Sequence, residues 1–370
     1  VHLSVLAAEN FRNLEPFRVE LGERFNLFEG RNGQGKTNLL EAVVLLSTFR
    51  SARDAKNPEL IRFGADRATV FGEVLRKDIG RTVELELTRE GKKVTLDGKS
   101  ITRLPTSFAH LNAVTFGPDD LELTKGAPEV RRRFLDRATY AVWPEHLLEM
   151  RAYQEALKHR NRLLRDAKVH HQPVDIPLIE AFEAELARRG AAIEQRRHHF
   201  LEGFRPRFEA AFSAITEGEL RGAILHETSG LEAAHFPLAE LVTRLTEKLA
   251  SARQNDLRLG YTRVGPHADD LDFQIDGKAA RIYASQGQHR AFVLALKIAE
   301  LERIEDALGV FPVFLLDDVS SELDERRNGL LMKRLELGGG QVFITTTDRR
   351  WIRVGEARHW KVEEGRILAQ

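Results

Sequence analysis

The sequence contains no cysteine. Disulfides, thiolate zinc sites and cysteine nucleophiles are thereby excluded, and a reducing cytosol suits the composition. No stretch approaches the roughly 18 consecutive apolar residues of a membrane-spanning helix. The opening residues, VHLSVLAAENFRN, lack a basic segment followed by an apolar run. No secretory signal is expected there, and a cytoplasmic location without membrane partners is. An excess of either charge is missing too, because Lys plus Arg and Asp plus Glu number 56 each among 370 residues. The whole chain therefore has no general attraction for nucleic acid, and only a local patch can supply one. What is present, 42% hydrophobic and 30% charged residues, is the composition of a folded globular protein. The length suits two domains.

The first third of the chain reads as strands and turns around one early helix. Asn26-Leu27-Phe28 is a short buried-strand candidate that runs into a glycine loop and then a helix over 38–47. Residues 83–87 alternate apolar and polar, as a half-buried strand should, and Asp97-Gly98 marks a hairpin turn. The middle is helical. Between 145 and 168 there is neither glycine nor proline, a stop is expected near His170-His171-Gln172-Pro173, and Pro177 suits the first turn of the next helix. Leu178, Phe182, Leu186 and Ile193 form the stripe of that helix, which is expected to end at Gly203 and Pro206. Further stripes follow at Phe204, Phe208, Ala211, Phe212 and Ile215, and at Leu238, Leu241, Val242, Leu245 and Leu249. The first two helices, each about 25 residues and so about 40 Å long, should pair as a short antiparallel arm. After Gly260 the α/β pattern returns. Leu271, Phe273 and Ile275 alternate before Asp276-Gly277, a helix fills 288–307, and buried strands occupy 313–316 and 341–345. The expected architecture is one α/β head built from 1–137 and 260–370, with a helical arm domain, 138–259, inserted between its parts.

Gly30-Arg31-Asn32-Gly33-Gln34-Gly35-Lys36-Thr37 matches G-x-x-x-x-G-K-[ST] and lies between a strand and a helix, where such a loop must lie. Its glycines let backbone N–H groups turn toward phosphates, and the helix N-terminus, reaching to Asn38, adds partial positive charge. Lys36 reaches the terminal phosphates of ATP, and the Thr37 hydroxyl holds Mg²⁺. Such a loop needs a second carboxylate for its metal. Val313-Phe314-Leu315-Leu316-Asp317-Asp318 supplies it, four apolar residues delivering Asp317 to the Mg²⁺ side and Asp318 to a position for polarising water. Ser285-Gln286-Gly287-Gln288 precedes a helix and makes a second anion-binding end, though alone the string also reads as an ordinary cap. Ser321-Glu322-Leu323-Asp324 follows the acidic strand end.

This order of motifs resembles the ABC-type ATPases. The resemblance implies two heads paired head to tail on ATP, with Ser285, Gly287 and Gln288 acting on the nucleotide of the partner copy and Ser321 to Asp324 crossing the interface. A closer resemblance, over essentially the whole chain, is to the RecF family. It rests on Asn10-Phe11-Arg12-Asn13, Phe116-Gly117-Pro118-Asp119-Asp120-Leu121, Arg131-Arg132-Arg133-Phe134-Leu135-Asp136 and Gly265-Pro266-His267-Ala268-Asp269-Asp270-Leu271. It implies a cytoplasmic ATPase and ATP-dependent homodimer that binds double-stranded and gapped DNA and, with RecO and RecR, helps load RecA. The chain departs from the wider class at Ala284, where a leucine is usual, and at Asp348, which stands where transporters carry a switch histidine and is a candidate for that place.

Residues 124–168 hold eleven Lys/Arg against six Asp/Glu. Arg131, Arg132 and Arg133 are the first candidates for DNA contact, with Lys158, Arg160, Arg162 and Arg165 next. The rival reading is that the arginines pair with Glu129, Asp136 and other carboxylates inside the fold. His170-His171 and His198-His199 are adjacent pairs that point about 100° apart on a helix, so solvated surface rather than a metal site is expected. Tyr140 and Trp143 read as packing rather than base stacking. An SMC-type chromosome protein remains the alternative class, although its heads are separated by far longer coiled coils. Zinc-hook repair ATPases need the cysteines this chain lacks, and a transporter ATPase leaves the arm helices unexplained.

Overall fold

A computed structural model of the chain describes residues 1–51, 55–76, 79–101, 111–170, 175–229, 236–318 and 325–370. These form two compact units, one of Val1–Leu121, Ala214–Glu217 and Gln286–Gln370, the other of Glu122–Ser213 and Gly218–Ser285.

The first unit carries two six-stranded sheets. One is antiparallel, in the order Phe17–Glu20, His2–Glu9, Arg67–Arg76, Ile79–Thr88, Lys92–Leu96, Lys99–Ile101. Val83, Leu85 and Leu87 face its core, as their alternation requires. Asp97 and Gly98 both adopt positive φ, 48° and 75°, in the turn between the last two strands. The other sheet runs Arg366–Ala369, Ala357–Glu363, Phe25–Glu29, Val342–Thr346, Val313–Leu316, Ala113–Phe116. It is parallel apart from the antiparallel hairpin at its C-terminal edge. Parallel strands covered on both faces need continuous apolar runs, and Val313 to Leu316 are all fully buried.

Helix Lys36–Thr48 shares one core with Leu3, Leu6, Val70 and Leu85 of the antiparallel sheet and Phe28, Val313, Leu315 and Phe343 of the parallel one. Apolar neighbours from both sheets demand apolar residues all round the helix, which is why Leu39 to Leu46 show no polar stripe. Gln341 ties the sheets further, accepting from the Leu3 N–H (2.8 Å) and donating to the carbonyls of Leu3 (2.8 Å) and Gly22 (2.7 Å).

The second unit holds the helices Glu145–His170, Ile176–Ile215 and Leu238–Leu259. The first two are antiparallel, joined by Arg189–Glu149 (2.9 Å), Arg160–Glu183 (2.8 Å) and the His159 ring stacked on Phe182. The third helix adds Arg253–Glu183 (2.6 Å) and Asp256–Arg160 (2.9 Å), and its Leu245 and Leu249 pack with Tyr153, Leu186 and Ile193. The expected pair is therefore a group of three. Leu178 and Leu238, assigned to stripes, are exposed. Ile179, seven residues before Leu186 and hence on the same face, is buried in place of Leu178.

The expected break at Gly203 and Pro206 does not occur, for Ile176–Ile215 is one helix of 40 residues. Proline removes a bond to the carbonyl four residues back, at a cost of about 3 kcal/mol. Here Phe200 stacks on Phe204 and Phe208 on Phe212, all buried, while the Arg207 guanidinium donates to the Gly203 carbonyl at 2.5 Å. Packing outweighs the local penalty. The strand Gly222–Glu227, set in a region that reads as helical, pairs with Asp270–Ile275 and forms a three-stranded sheet with Lys278–Ala279. Of the expected helix stop, His171, Gln172 and Pro173 lie outside the described residues. Among the described residues no helix is long and apolar enough to cross a membrane.

Candidate nucleotide-binding site

Strand Phe25–Glu29 ends at Gly30, whose N–H donates to the Thr346 carbonyl on the neighbouring strand at 3.1 Å. A Cβ on Gly30 would come within 2.3 Å of the Val362 carbonyl oxygen, so the turn needs glycine. Gly35, at φ 107°, would bring a Cβ within 2.7 Å of Leu14 Cδ2. Arg31, Asn32 and Gly33 are exposed at the tip, and Gly33 also has positive φ. The loop is held from two sides. Asn13 donates to the Gly33 carbonyl (3.3 Å) and accepts from the Asn38 amide (2.7 Å). Gln34 Oε1 accepts from the Glu364 N–H (2.5 Å) and its carbonyl from the Gly365 N–H (3.1 Å), in the turn of the C-terminal hairpin.

Lys36 opens the helix with its ammonium folded back, donating to the carbonyls of Gly30 (2.6 Å) and Arg31 (3.0 Å). Burial pushes its pKa below the usual lysine value, while the charges of Asp318 and Asp317 oppose that. The Thr37 hydroxyl donates to Asp317 Oδ1 at 3.0 Å, and Thr345 Oγ1 donates to the same oxygen at 2.7 Å. Asp317 is set by its own N–H on the Phe116 carbonyl (2.8 Å) and by Gly117, which lies against its Cβ. Asp318 adopts φ 49°, a conformation uncommon outside glycine, with its N–H on Thr345 Oγ1 at 2.9 Å. The positive φ re-aims the chain directly after Asp317.

These residues fit a magnesium nucleotide. A glycine-walled turn leads into a helix N-terminus, where backbone donors favour anions. An ammonium rests on two uncharged carbonyls that phosphate oxygens can replace. A hydroxyl and a carboxylate converge on one point, and both are hard oxygen ligands of the kind Mg²⁺ takes.

Not every expected residue joins this cluster. Ser285 is exposed just before helix Gln286–Leu308, and Gly287 lies in its first turn with the Arg327 guanidinium 3.4 Å from where a Cβ would stand. The Lys36 ammonium bonds to Gly30 and Arg31, and the Asp317 carboxylate to Thr37 and Thr345. Ser321 to Asp324 lie outside the described residues. Asp348 caps the turn Arg349–Trp351 and is held by Arg350, bonded at 2.6 to 3.0 Å, which keeps its carboxyl below the usual range.

The basic candidates need correction. Arg131 is buried, with both arms on Asp270 at 2.7 Å and a third bond to the Gly126 carbonyl. Arg132 donates to the Asp269 carbonyl at 2.6 Å, and Arg133 is the exposed member of the run. Arg160 is fully buried between Glu183, Asp256 and Thr262. A charge run looks the same in sequence whether water or buried carboxylates receive it. Lys158, Arg162 and Arg165 are exposed. His199 is largely exposed with Trp143 at its ring edge, and His198 is partly covered beside Glu202.

Sequence reading missed Thr345, Asn13 and the hairpin turn at Glu364-Gly365. The doubled threonine closing a buried parallel strand was the available signal for the first, and the glycine turn for the last. Lys297 was missed as well: fully buried in helix Gln286–Leu308, it pairs with Asp120 at 2.8 Å.

The model of the RecF/RecN/SMC N-terminal domain matches residues 2–364. A DNA replication and repair protein RecF of Myxococcus xanthus is 41% identical over 356 residues, covering 95% of this chain and 92% of the relative. A solved structure described as the recombination mediator protein RecF-ATPrS in the RecFOR pathway superposes with a TM-score of 0.91 at 33% identity, over 100% of this chain and 98% of that one. An Smc head domain from Pyrococcus furiosus, 15% identical with a TM-score of 0.57 over 100% of this chain and 96% of that one, shares the fold alone. The α/β architecture with its helical insertion is that of the ABC-type ATPase heads. Its glycine loop, acidic strand end and near full-length likeness agree, and the chain belongs to the RecF family of DNA replication and repair proteins.

Proposed function

We propose that the chain is an ATP-dependent DNA-binding protein of recombinational gap repair in the cytoplasm. It binds Mg·ATP, closes into a head-to-tail homodimer, hydrolyses the nucleotide slowly, and acts on duplex and gapped DNA with RecR and RecO to favour RecA loading. One observation carries the reading. Thr37 and Asp317, 280 residues apart in sequence, meet at 3.0 Å beside a glycine loop that carries Lys36. The relative whose description includes ATPrS supports it.

Bound Mg·ATP supplies the γ-phosphate whose transfer to water is the reaction. Lys36 would exchange the Gly30 and Arg31 carbonyls for phosphate oxygens, and the N–H groups from Gly33 to Asn38 would donate to the remaining phosphate oxygens. Thr37 and Asp317 would hold the metal, with Thr345 fixing Asp317 in place. Asp318 would polarise the attacking water. Ser285, Gly287 and Gln288, outside the chain's own loop cluster, would serve the nucleotide of the partner copy. The helical segment 138–259 would act as the arm on such a head.

The test is titration of the full chain with a fluorescent ATP analogue and Mg²⁺. Wild type should saturate, and Lys36→Met should lose affinity by about tenfold or more, the effect of removing a charge-assisted phosphate contact. Equal affinity in the variant would overturn the assignment.

A further inference from the structure

Inside the second unit, Glu194 on helix Ile176–Ile215, His226 on strand Gly222–Glu227 and Asp269 just before strand Asp270–Ile275 converge. One ligand atom from each lies within 4.8 Å of the others. His226 Nε2 stands 4.0 Å from Glu194 Oε2 and 3.9 Å from Asp269 Oδ2. The Glu194 side chain is only 1% exposed, yet neither of its oxygens has a hydrogen-bond partner among the described residues, and His226 Nε2 has none either. Buried polar atoms are normally satisfied, so three facing one another without partners need a reason.

Ion pairing does not provide it. The nearest cation, Arg197, directs its guanidinium to Asp136 (2.8 and 3.0 Å) and the Pro266 carbonyl (2.8 Å), leaving 3.4 Å to Asp269 and 3.8 Å to Glu194. Glu194, Asp269 and Asp136 set three acid groups around that one guanidinium, with His146 also on Asp136 at 3.0 Å. A divalent cation would neutralise the acid groups that Arg197 does not reach. Asp269 Oδ1 is anchored by the Ser229 N–H at 2.7 Å, which aims Oδ2 into the cluster.

We propose that Glu194, His226 and Asp269 form a structural site for a divalent transition-metal cation of the zinc class, with the second Glu194 oxygen, also unbonded, able to complete four ligands. One imidazole and two carboxylates suit zinc, whose bonds to nitrogen and oxygen are about 2.0–2.2 Å. Tetrahedral ligands at that distance lie about 3.3 Å apart. The separations near 4 Å close by small side-chain rotations. The site shares no residue with the loop that carries Lys36, and serves the packing of the second unit rather than phosphate chemistry.

The experiment uses the full chain, stripped with chelator and free of nucleotide, titrated with zinc chloride against a chromophoric competitor. Bound zinc is counted by atomic emission, and melting is followed with and without the metal. The expected result is one zinc per chain, a melting temperature raised by about 5 °C at hundredfold excess over Kd, and affinity weakened at least about tenfold in both Glu194→Gln and His226→Gln. Should one variant fail to fold, the other and the wild-type stoichiometry decide. Folded wild type that binds no stoichiometric zinc overturns the site and leaves a proton on Glu194 as the neutralising charge. Zinc bound equally by wild type and both variants also overturns it, because that ion sits elsewhere.

Discussion

Asp318 directly follows Asp317, the proposed metal ligand, and adopts positive φ. Asp318→Asn keeps the backbone hydrogen bond to Thr345 but removes the charge that would polarise water. Nucleotide affinity should stay near wild type while hydrolysis falls by about 10²-fold or more, the scale of a lost general base. Phosphate release in single turnover measures it, and an unchanged rate assigns the water to another residue. Asp136 governs stability rather than chemistry. Burial alone would raise its pKa, but the Arg197 guanidinium and His146 beside it bring it from 3.8 down to about 2. A depressed carboxyl stabilises the fold above its unfolded pKa and stops doing so as pH falls through the folded one. Between about pH 4 and 2 wild type should therefore lose about 2 kcal/mol more unfolding free energy than Asp136→Asn. Denaturant curves across that window check the difference. Parallel curves for the two proteins would mean that Arg197 does not hold the carboxylate in solution.

At the scale of elements, the 40-residue helix Ile176–Ile215 is the one whose local signals and packing disagree most. Gly203 and Pro206 read as an end, yet four phenylalanines at four-residue spacing stack in two pairs across the site. Phe208 is fully buried and also lies against Gly222 of the neighbouring strand, where an added Cβ would come within 2.9 Å of its ring. Phe208→Ala removes both contacts beside the proline, which retains its intrinsic cost. It should destabilise the protein by about 3–5 kcal/mol. Urea unfolding followed by far-ultraviolet circular dichroism reads this, and a loss under 1 kcal/mol would mean the stack is not what carries the helix through Pro206. The opposite balance holds in helix Lys36–Thr48. There sequence and packing agree, since a largely apolar segment enters a core that surrounds it, with its one buried carboxylate, Glu41, paired to Arg12.

At the scale of the whole molecule, the proposed function turns on pairing of two heads. Ser285 is exposed at the start of a long helix, where a bulky cation leaves the chain's own Lys36 loop intact. Ser285→Arg should bind ATP as a monomer with unchanged affinity and fail to form the ATP-induced dimer in light scattering. A dimer of normal size would remove the partner role of that serine. The proposed DNA contact is to be sought away from the arginines that proved internal. Arg131 and Arg160 are bonded to buried or half-buried carboxylates, which moves the basic surface toward Lys158, Arg162 and Arg165 on helix Glu145–His170. Among the described residues the longest helix has 40 residues and so spans about 60 Å.

The phosphate loop, the acidic strand end and their order were legible in the residues alone, because each is a local device. A run of backbone donors needs only glycines and a helix start, and a buried parallel strand needs only consecutive apolar residues. The mixed α/β class followed from where the pattern changed period. Long-range pairing had no such local mark. Only the folded chain brings Thr37 to Asp317 across 280 residues, lays the Glu364-Gly365 turn against Gln34, and turns the arginine string toward Asp269 and Asp270. Sequence determines which side chains can carry charge, hold a phosphate or fill a core. The tertiary structure decides which charges meet water and which meet each other, because pairing energy depends on a partner's position and on the solvent it excludes.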